Sequence, residues 1–170
     1  ANGDRLFTLN RAVLNCGNAA DGAVKWQLRL EGPFWATPIV AGDYVFCSSG
    51  YGTGSALLRI VKSDEGLKAE EQYFLDGKTL QNHHGGMIKL GDFIYAGHGN
   101  NRGAPVCLEM KTGRIAWRED KDPPGRGSAA IVYANGQLYF RYQDGTMALI
   151  DAKPESYEVH GTFKIPGAND

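Results

Sequence analysis

A turn glycine followed by a short, apolar and aromatic strand occurs four times along the chain. The four copies are Gly3-Asp4-Arg5-Leu6-Phe7, Gly42-Asp43-Tyr44-Val45-Phe46, Gly91-Asp92-Phe93-Ile94-Tyr95 and Gly136-Gln137-Leu138-Tyr139-Phe140. Their first glycines are 39, 49 and 45 residues apart (42−3, 91−42 and 136−91). Repetition near this period is typical of solenoids and propellers. Each copy predicts a tight turn that leads into a strand of a repeated sheet.

A second hairpin pattern occurs in the first and third repeats with the same spacing. After Gly22, apolar Val24, Trp26 and Leu28 alternate with polar residues, which predicts a half-buried strand. A cysteine lies six residues before the turn glycine and a tryptophan four residues after it, and the matching triplets are Cys16, Gly22, Trp26 and Cys107, Gly113, Trp117. We expect these cysteines, at equivalent positions of separate repeats, to be buried thiols that do not pair.

The patterns together predict an all-β chain of four units and no helix. The units cover residues 1–31, 32–76, 83–122 and 125–166, and each should form a sheet of four antiparallel strands. In the first unit only three strands are predicted, at residues 1–10, 12–17 and 23–28, so the innermost strand is missing. The first unit is therefore expected to be incomplete.

Composition and charge narrow the possible function classes. The 170 residues are enough for one domain with a real core, and 23 glycines favour a fold with many turns. The formal net charge of −1 gives no electrostatic reason to expect nucleic acid or an anionic membrane surface as a partner. No apolar run reaches the roughly 18 residues of a membrane span, and the sequence does not start with a basic and then apolar signal.

Two longer segments contain these patterns, namely Pro38-Ile39-Val40-Ala41-Gly42-Asp43-Tyr44-Val45-Phe46 and Cys107-Leu108-Glu109-Met110-Lys111-Thr112-Gly113-Arg114-Ile115-Ala116-Trp117. Both segments resemble the quinoprotein-type (PQQ-like) β-propeller repeat. The match is closest to bacterial PQQ-like repeat proteins of unassigned function. The resemblance implies four-stranded blades around an axis, in a ring of seven or eight. It implies that other blades come from a longer chain or from a second copy. Trp26 and Trp117, with Gly22 and Gly113, match the hairpin that docks neighbouring blades, and Glu70 and Val159 are nearest that position in the other units.

In this repeat type the innermost strands line a central channel, and the segments that enter them form one rim. Aligning the units brings Phe34 to the rim together with six candidate ligand-binding residues, Trp35, Thr37, His83, His84, Arg126 and Ser128. Such a set could bind an anionic or planar ligand, or the same groups could cap the ends of the blades. A metal ion is not expected, because adjacent residues of a strand such as His83 and His84 point to opposite faces. His98 is expected in a turn at the surface.

The first functional hypothesis is a non-catalytic scaffold that binds a partner protein or small ligand at the channel rim. The alternative is a portion of a PQQ-dependent quinoprotein dehydrogenase, and a weaker one is a carbohydrate-binding propeller. Dehydrogenases of the family hold PQQ beside an acidic calcium site and a catalytic Asp, often with adjacent cysteines. The chain has no adjacent cysteines and no Asp or Asn at the aligned rim positions. No cofactor is therefore expected, and the resemblance implies a periplasmic or secreted protein.

Overall fold

The computed structural model describes residues 5–34, 36–64 and 66–168, and all regular structure in these residues is β-strand. The fourteen strands are β1 (Arg5–Asn18), β2 (Val24–Phe34), β3 (Ile39–Ala41), β4 (Tyr44–Ser49), β5 (Gly54–Ser63), β6 (Gly66–Asp76), β7 (Met87–Leu90), β8 (Phe93–His98), β9 (Ala104–Glu109), β10 (Ile115–Arg118), β11 (Ala129–Ala134), β12 (Gln137–Tyr142), β13 (Thr146–Asp151) and β14 (Val159–Lys164). The prediction of an all-β chain of propeller-like sheets is confirmed.

Three of the four sheets are simple antiparallel meanders of four strands, in the orders β3-β4-β5-β6, β7-β8-β9-β10 and β11-β12-β13-β14. In each meander a two-residue turn at the predicted glycine phrase joins the first two strands. Asn135 and Gly136 both have positive φ, of 52° and 80°, whereas in the turns 42–43 and 91–92 only the glycine does, with φ of 60° and 54°. Both patterns are typical of the hairpin turns that match strand twist. The first strands β3, β7 and β11 are the innermost of their units, and β11 and β3 both lie beside β7.

The first unit differs from its prediction. Instead of three strands it contains one long hairpin, in which β1 pairs with β2 in a two-stranded sheet. The other units turn between their second and third strands at a glycine such as Gly54, Gly103 or Gly145, each with positive φ. No glycine or proline stands between Arg5 and Cys16. The chain therefore continues as one strand where a turn was expected.

Rows of cross-strand neighbours carry the contacts between units. In the third unit Tyr95 pairs with Cys107 and Cys107 with Trp117, so the three side chains lie on one face. Tyr95 and Cys107 belong to a buried cluster with Ile131, Leu138 and Phe140 of the fourth unit. A second cluster joins Phe46 and Leu57 of the second unit to Ile94 and Val106 of the third. The second and third sheets thus each bury one face against the following sheet, as expected for repeats that depend on their neighbours for a core.

The docking tryptophan of the third unit makes a direct bond to its neighbour. The Trp117 indole Nε1 donates to the Lys153 carbonyl at 2.8 Å, and its ring lies 5.9 Å from the Tyr95 ring and 5.4 Å from the Tyr157 ring. Gly113, which turns the hairpin with φ of 72°, packs against Tyr73 of the second unit. Gly22 makes the matching turn in the first unit with φ of 73°. Of Trp26 the structure describes only the backbone, which pairs with Cys16.

The equivalent positions in the second and fourth units are not those that the sequence alignment suggested. By strand pairing, Tyr73 and Gly161 stand where Trp117 stands, rather than Glu70 and Val159. The difference arises because the outer hairpins differ in length. Strands β5 and β6 pair as far as Ser63 and Gly66, whereas β9 and β10 pair only as far as Leu108 and Ile115, and in the fourth unit residues 152–158 separate the two strands. Counting four residues from the turn therefore stops short of the contact row in the second and fourth units. Tyr73 performs the same task as Trp117, since its hydroxyl donates to the Met110 carbonyl of the third unit at 2.5 Å.

The meander order places one set of connections at a single end of the sheets, and we call this end the rim. The rim comprises the segments that enter the innermost strands (36–38, 77–86 and 119–128) and the turns after the second strands (50–53, 99–103 and 143–145). The turns 42–43, 91–92 and 135–136 and the outer hairpins 110–114 and 152–158 lie at the opposite end.

Candidate functional site

Residues 81–86 connect the second unit to the third and form the centre of the rim; we call them the rim segment. His83 is 9% exposed, and its Nδ1 lies 3.2 Å from Ser128 Oγ, which is itself buried in the fourth unit. The rings of His83 and His84 lie 3.6 Å apart, and His84 is exposed. The rim segment is not a strand here, so the two imidazoles are adjacent rather than on opposite faces. Three of the predicted site residues, His83, His84 and Ser128, are thus brought together.

A buried polar network fixes the rim segment against the neighbouring sheets. The Asn82 backbone N–H donates to Ser48 Oγ at 3.0 Å, and the Asn82 side-chain amide donates to the Gly97 carbonyl at 3.0 Å. Ser48 Oγ lies 2.8 Å from Ser55 Oγ, and Ser55 Oγ donates to the Leu80 carbonyl. Because these groups are buried, each bond also gives a partner to a polar atom that would destabilise the fold if it were buried without one. The position of His83 therefore depends on three successive units.

Tyr51 is a rim residue that the sequence analysis did not select. Its φ of 56° is unusual for a bulky side chain, and its backbone N–H donates to Asn100 Oδ1 of the next unit at 3.1 Å. The ring is 58% exposed and meets the His83 ring edge-on at a centroid distance of 4.7 Å. Strained residues held by their surroundings cluster at functional sites. The glycine-rich sequence of residues 50–54 indicates only a connection between strands, so it gives no signal for this residue.

The other predicted rim residues do not join the His83 cluster. Arg126 is exposed and lines a separate cleft of about 720 Å³ with Gly127, Gln143, Asp144 and Lys164. Gln143 links this cleft to the first cluster, because its Oε1 accepts from the Ser128 backbone N–H at 3.2 Å. Thr37 is exposed on the segment before β3. Trp35 lies outside the described residues.

The surroundings of His83 disfavour the charged form of its imidazole. Burial and the nearby His84 charge lower the pKa of His83. Its Nε2 is buried and has no hydrogen-bond partner among the described residues. A buried polar atom without a partner costs about 1–3 kcal/mol.

In the cleft beside Arg126, burial raises the pKa of Asp144, but hydrogen bonds from Thr146 outweigh this effect and lower the pKa, with the Lys164 ammonium as a smaller cause.

His98 is buried, contrary to the surface position expected from its Gly97-His98-Gly99 context. It is 8% exposed, and its Nδ1 accepts a hydrogen bond of 3.2 Å from the backbone N–H of Gln81 in the rim segment. Burial lowers the pKa of His98 to about 4, helped by Arg118 and Arg102 and opposed by Asp120. The sequence gives no local signal for this burial, because the covering residues come from another part of the chain.

Within residues 5–34, 36–64 and 66–168, no three His, Cys, Asp or Glu side chains converge in a way that could hold a metal ion. Over the same residues, no helix has the length and apolar character of a membrane span. Cys16, Cys47 and Cys107 are all buried free thiols. Burial raises the pKa of Cys47 to about 12 and that of Cys107 to about 11, so both are protonated at neutral pH.

Comparison with known proteins supports the propeller repeat. A PQQ-type family model described as outer membrane protein assembly factor BamB matches residues 1–69. No curated protein sequence matches the chain. Among solved structures, BamB from Moraxella catarrhalis superposes with a TM-score of 0.69 at 14% identity, over 98% of this chain and 49% of BamB.

Two further solved structures have the same fold at low identity. A europium-containing methanol dehydrogenase superposes with a TM-score of 0.63 at 12% identity, over 96% of this chain and 40% of the enzyme. The Cps50 (Swd1) β-propeller domain from Myceliophteria thermophila superposes with a TM-score of 0.65 at 12% identity, over 96% of this chain and 55% of that domain. The chain therefore spans about half the length of the structures it resembles.

Proposed function

Because this chain is built of PQQ-like β-propeller repeats, we propose that it is a non-catalytic scaffold that binds a partner protein or small ligand at the rim. The observation that carries the proposal is the convergence of Tyr51, His83 and Ser128 from three successive units, with His84 exposed beside them. Residues far apart in sequence meet there, and buried hydrogen bonds of Asn82 to Ser48 and Gly97 hold the segment that brings them together. We further propose a bacterial, periplasmic or secreted location, in keeping with the BamB family model.

The chemistry of the rim supports recognition of an anionic group. His84 and Arg126 are exposed, and Lys164 lies in the cleft beside Arg126, while Asp144 supplies the carboxylate of that cleft. Guanidinium and protonated imidazole groups form charge-assisted hydrogen bonds to carboxylates and phosphates. The exposed Tyr51 ring adds a surface on which a planar or apolar group can pack.

Site-directed photocrosslinking in the natural host tests this proposal. With p-benzoylphenylalanine in place of His84, we expect a crosslinked product of discrete mass, which Arg126→Ala reduces at least several-fold. The matched control carries the crosslinker in place of Lys62, which is exposed at the opposite end of the sheets, and we expect no product there. Equal products at both positions, or none at His84, would show that the rim is not the binding surface.

The residues present do not fit PQQ with calcium. Calcium takes six to eight oxygen ligands, largely from Asp and Glu, whereas imidazole suits transition metals. Besides His83, His84 and Arg126, the described part of the rim carries the carboxylates of Glu119, Asp120, Asp122 and Asp144. No three of these His, Asp and Glu side chains converge on one point, and Asp144 already accepts from the Thr146 backbone N–H at 3.0 Å. We therefore propose no cofactor for this chain and no step of alcohol or sugar oxidation.

The open face of the fourth sheet supports a partner that completes the ring. In the third unit, Tyr95, Cys107 and Trp117 form the row of cross-strand neighbours that faces the next sheet. The corresponding row of the fourth unit consists of Val132, Tyr139, Leu149 and Gly161. In the third unit this row is covered by the next sheet, but here Val132 is 63% exposed and neighbouring Phe163 is exposed as well. We propose that a further unit of the same type covers this face, supplied by a longer chain rather than by a second copy.

The intact mass of the natural protein, together with its oligomeric state, tests this assignment. We expect a monomer of roughly twice the mass of these 170 residues, since the similar structures are about twice as long. We also expect Phe163→Ser to lower the stability of that protein by about 2–4 kcal/mol, because it places a hydroxyl in a covered apolar face. A natural chain of 170 residues that dimerises would contradict the assignment.

A further inference from the structure

We propose that His98 is a pH-sensitive latch that holds the rim segment in its binding-competent position and releases it in acid. This inference rests on the proposed function of the rim, whose regulation it describes. The latch is the bond from the Gln81 N–H to His98 Nδ1, directly before Asn82, His83 and His84 in the chain.

The bond exists only with a neutral imidazole. Nδ1 accepts the Gln81 proton through its lone pair, and protonation converts that nitrogen into a donor. Two N–H groups would then face each other in a site where His98 is 8% exposed. The protonated form therefore has to leave the Gln81 amide, since neither group can turn to water without moving.

The charged groups around His98 reinforce this outcome. Arg118, at the end of β10, donates to the Lys78 and Thr79 carbonyls and pairs with Asp120 at 2.5 Å. Arg102, in the turn after β8, donates to the Asp120 carbonyl. Both guanidinium groups oppose a positive charge on His98, and the Asp120 carboxylate favours it but is shared with Arg118. Because the two guanidinium groups are held by carbonyl and carboxylate oxygens, we infer that protonation of His98 displaces the Gln81 backbone rather than these groups.

A displacement of Gln81 also displaces the residues that follow it in the rim segment, including His83. The Gly99 N–H donates to the Gln81 carbonyl at 2.9 Å, and Asn82 forms a bridge with Gly99, so both sides of Gln81 are tied to the turn after β8. Once these bonds open, His83 loses the support that places its ring on Ser128. His83 shares the response, because burial and His84 lower its pKa, while Tyr51 and Ser128 bring no charge to its surroundings.

The direction of the pH dependence follows from linkage. The pKa of His98 falls from 6.5 to about 4 in the closed form, so protons bind the open form more tightly. The closed form is fully favoured above pH 6.5, and the preference weakens as the pH falls from 6.5 towards 4. The closed-to-open ratio should drop about tenfold for each pH unit in that range.

Hydrogen exchange of the natural protein between pH 7 and pH 5 tests the latch. After correction for intrinsic rates, we expect the protection of the Gln81 and Gly99 amides to fall about tenfold per unit below pH 6.5. Amides of β12 and β13, which lie in another sheet, should keep their protection and so report that the fold is intact. In His98→Asn, whose side-chain oxygen can accept the Gln81 N–H without titrating, the fall in protection should be several-fold smaller than in the wild type, with His83 as the remaining titrating group.

Several results would overturn the latch. They are unchanged protection of Gln81 in the wild type, an equal pH dependence in His98→Asn, or a parallel loss in β12 and β13. If His98→Asn does not fold, the titration of His98 and the exchange of Gln81 in the wild type must share one midpoint, and different midpoints would refute the proposal. Exchange needs no ligand, so a positive result with no crosslink at His84 would separate a true latch from a wrong functional proposal.

Discussion

Gly85→Ala is expected to destabilise the protein by about 4 kcal/mol and to abolish binding at the rim. A Cβ on Gly85 would lie 2.3 Å from the Ala129 carbonyl oxygen and 3.0 Å from Asn82 Nδ2. The first of these atoms is backbone in β11 and cannot rotate away, so the rim segment itself must shift. Overpacking of this kind costs about 1–3 kcal/mol. The loss of the buried bond from Asn82 to the Gly97 carbonyl adds about 1–3 kcal/mol.

The neighbouring glycine provides the matched control. A Cβ on Gly86 would meet only the Ile131 carbonyl oxygen at 3.9 Å, which is ordinary contact. Gly86→Ala should therefore be neutral or stabilising by up to about 1 kcal/mol, through the lower entropy of the unfolded chain. In thermal melts we expect Gly85→Ala to lower Tm by about 10 °C relative to Gly86→Ala. Equal melting temperatures would mean that the segment does not press against β11 as described.

The repeated sheets could be predicted from the sequence because their signals are local. A turn glycine, the strand after it and the alternation of Val24, Trp26 and Leu28 all lie within a few residues of one another. The resemblance of the hairpin around Gly113 to the propeller repeat implied that Trp117 lies at the contact with the next unit, and in the structure its indole donates to the Lys153 carbonyl there. The same counting failed at Tyr73 and Gly161, because the outer hairpins of the second and fourth units differ in length from that around Gly113.

The rim was only partly predictable, because its geometry depends on contacts between units. Alignment of the repeats selected His83 and Ser128, which do meet, since both enter an innermost strand at the same end. It also selected Arg126, which faces a separate cleft, and it missed Tyr51 and His98. The positions of Tyr51 and His98 are set by Asn100 and Gln81, which lie in other units or in connecting segments. Such partners cannot be found from a repeat period.

Trp117→Ala is expected to separate the third and fourth sheets more than any single truncation of a surface side chain. The substitution removes a half-buried ring that packs between Tyr95 and Tyr157, at a cost of about 3 kcal/mol. It also removes the indole donor to the Lys153 carbonyl, which adds about 1 kcal/mol. Chemical unfolding should show a total loss of about 4 kcal/mol.

Two conservative variants measure the contribution of the hydrogen bond alone, one at Trp117 and one at the equivalent contact of Tyr73. Trp117→Phe keeps most of the ring and loses the donor, so we expect a loss of about 1–2 kcal/mol. Tyr73→Phe loses only the hydroxyl bond to the Met110 carbonyl at the equivalent contact between the second and third sheets, and should cost about 1 kcal/mol. If Trp117→Ala costs no more than Trp117→Phe, then ring packing does not hold these sheets together. The stacking of each sheet on the next would then depend on the apolar rows alone.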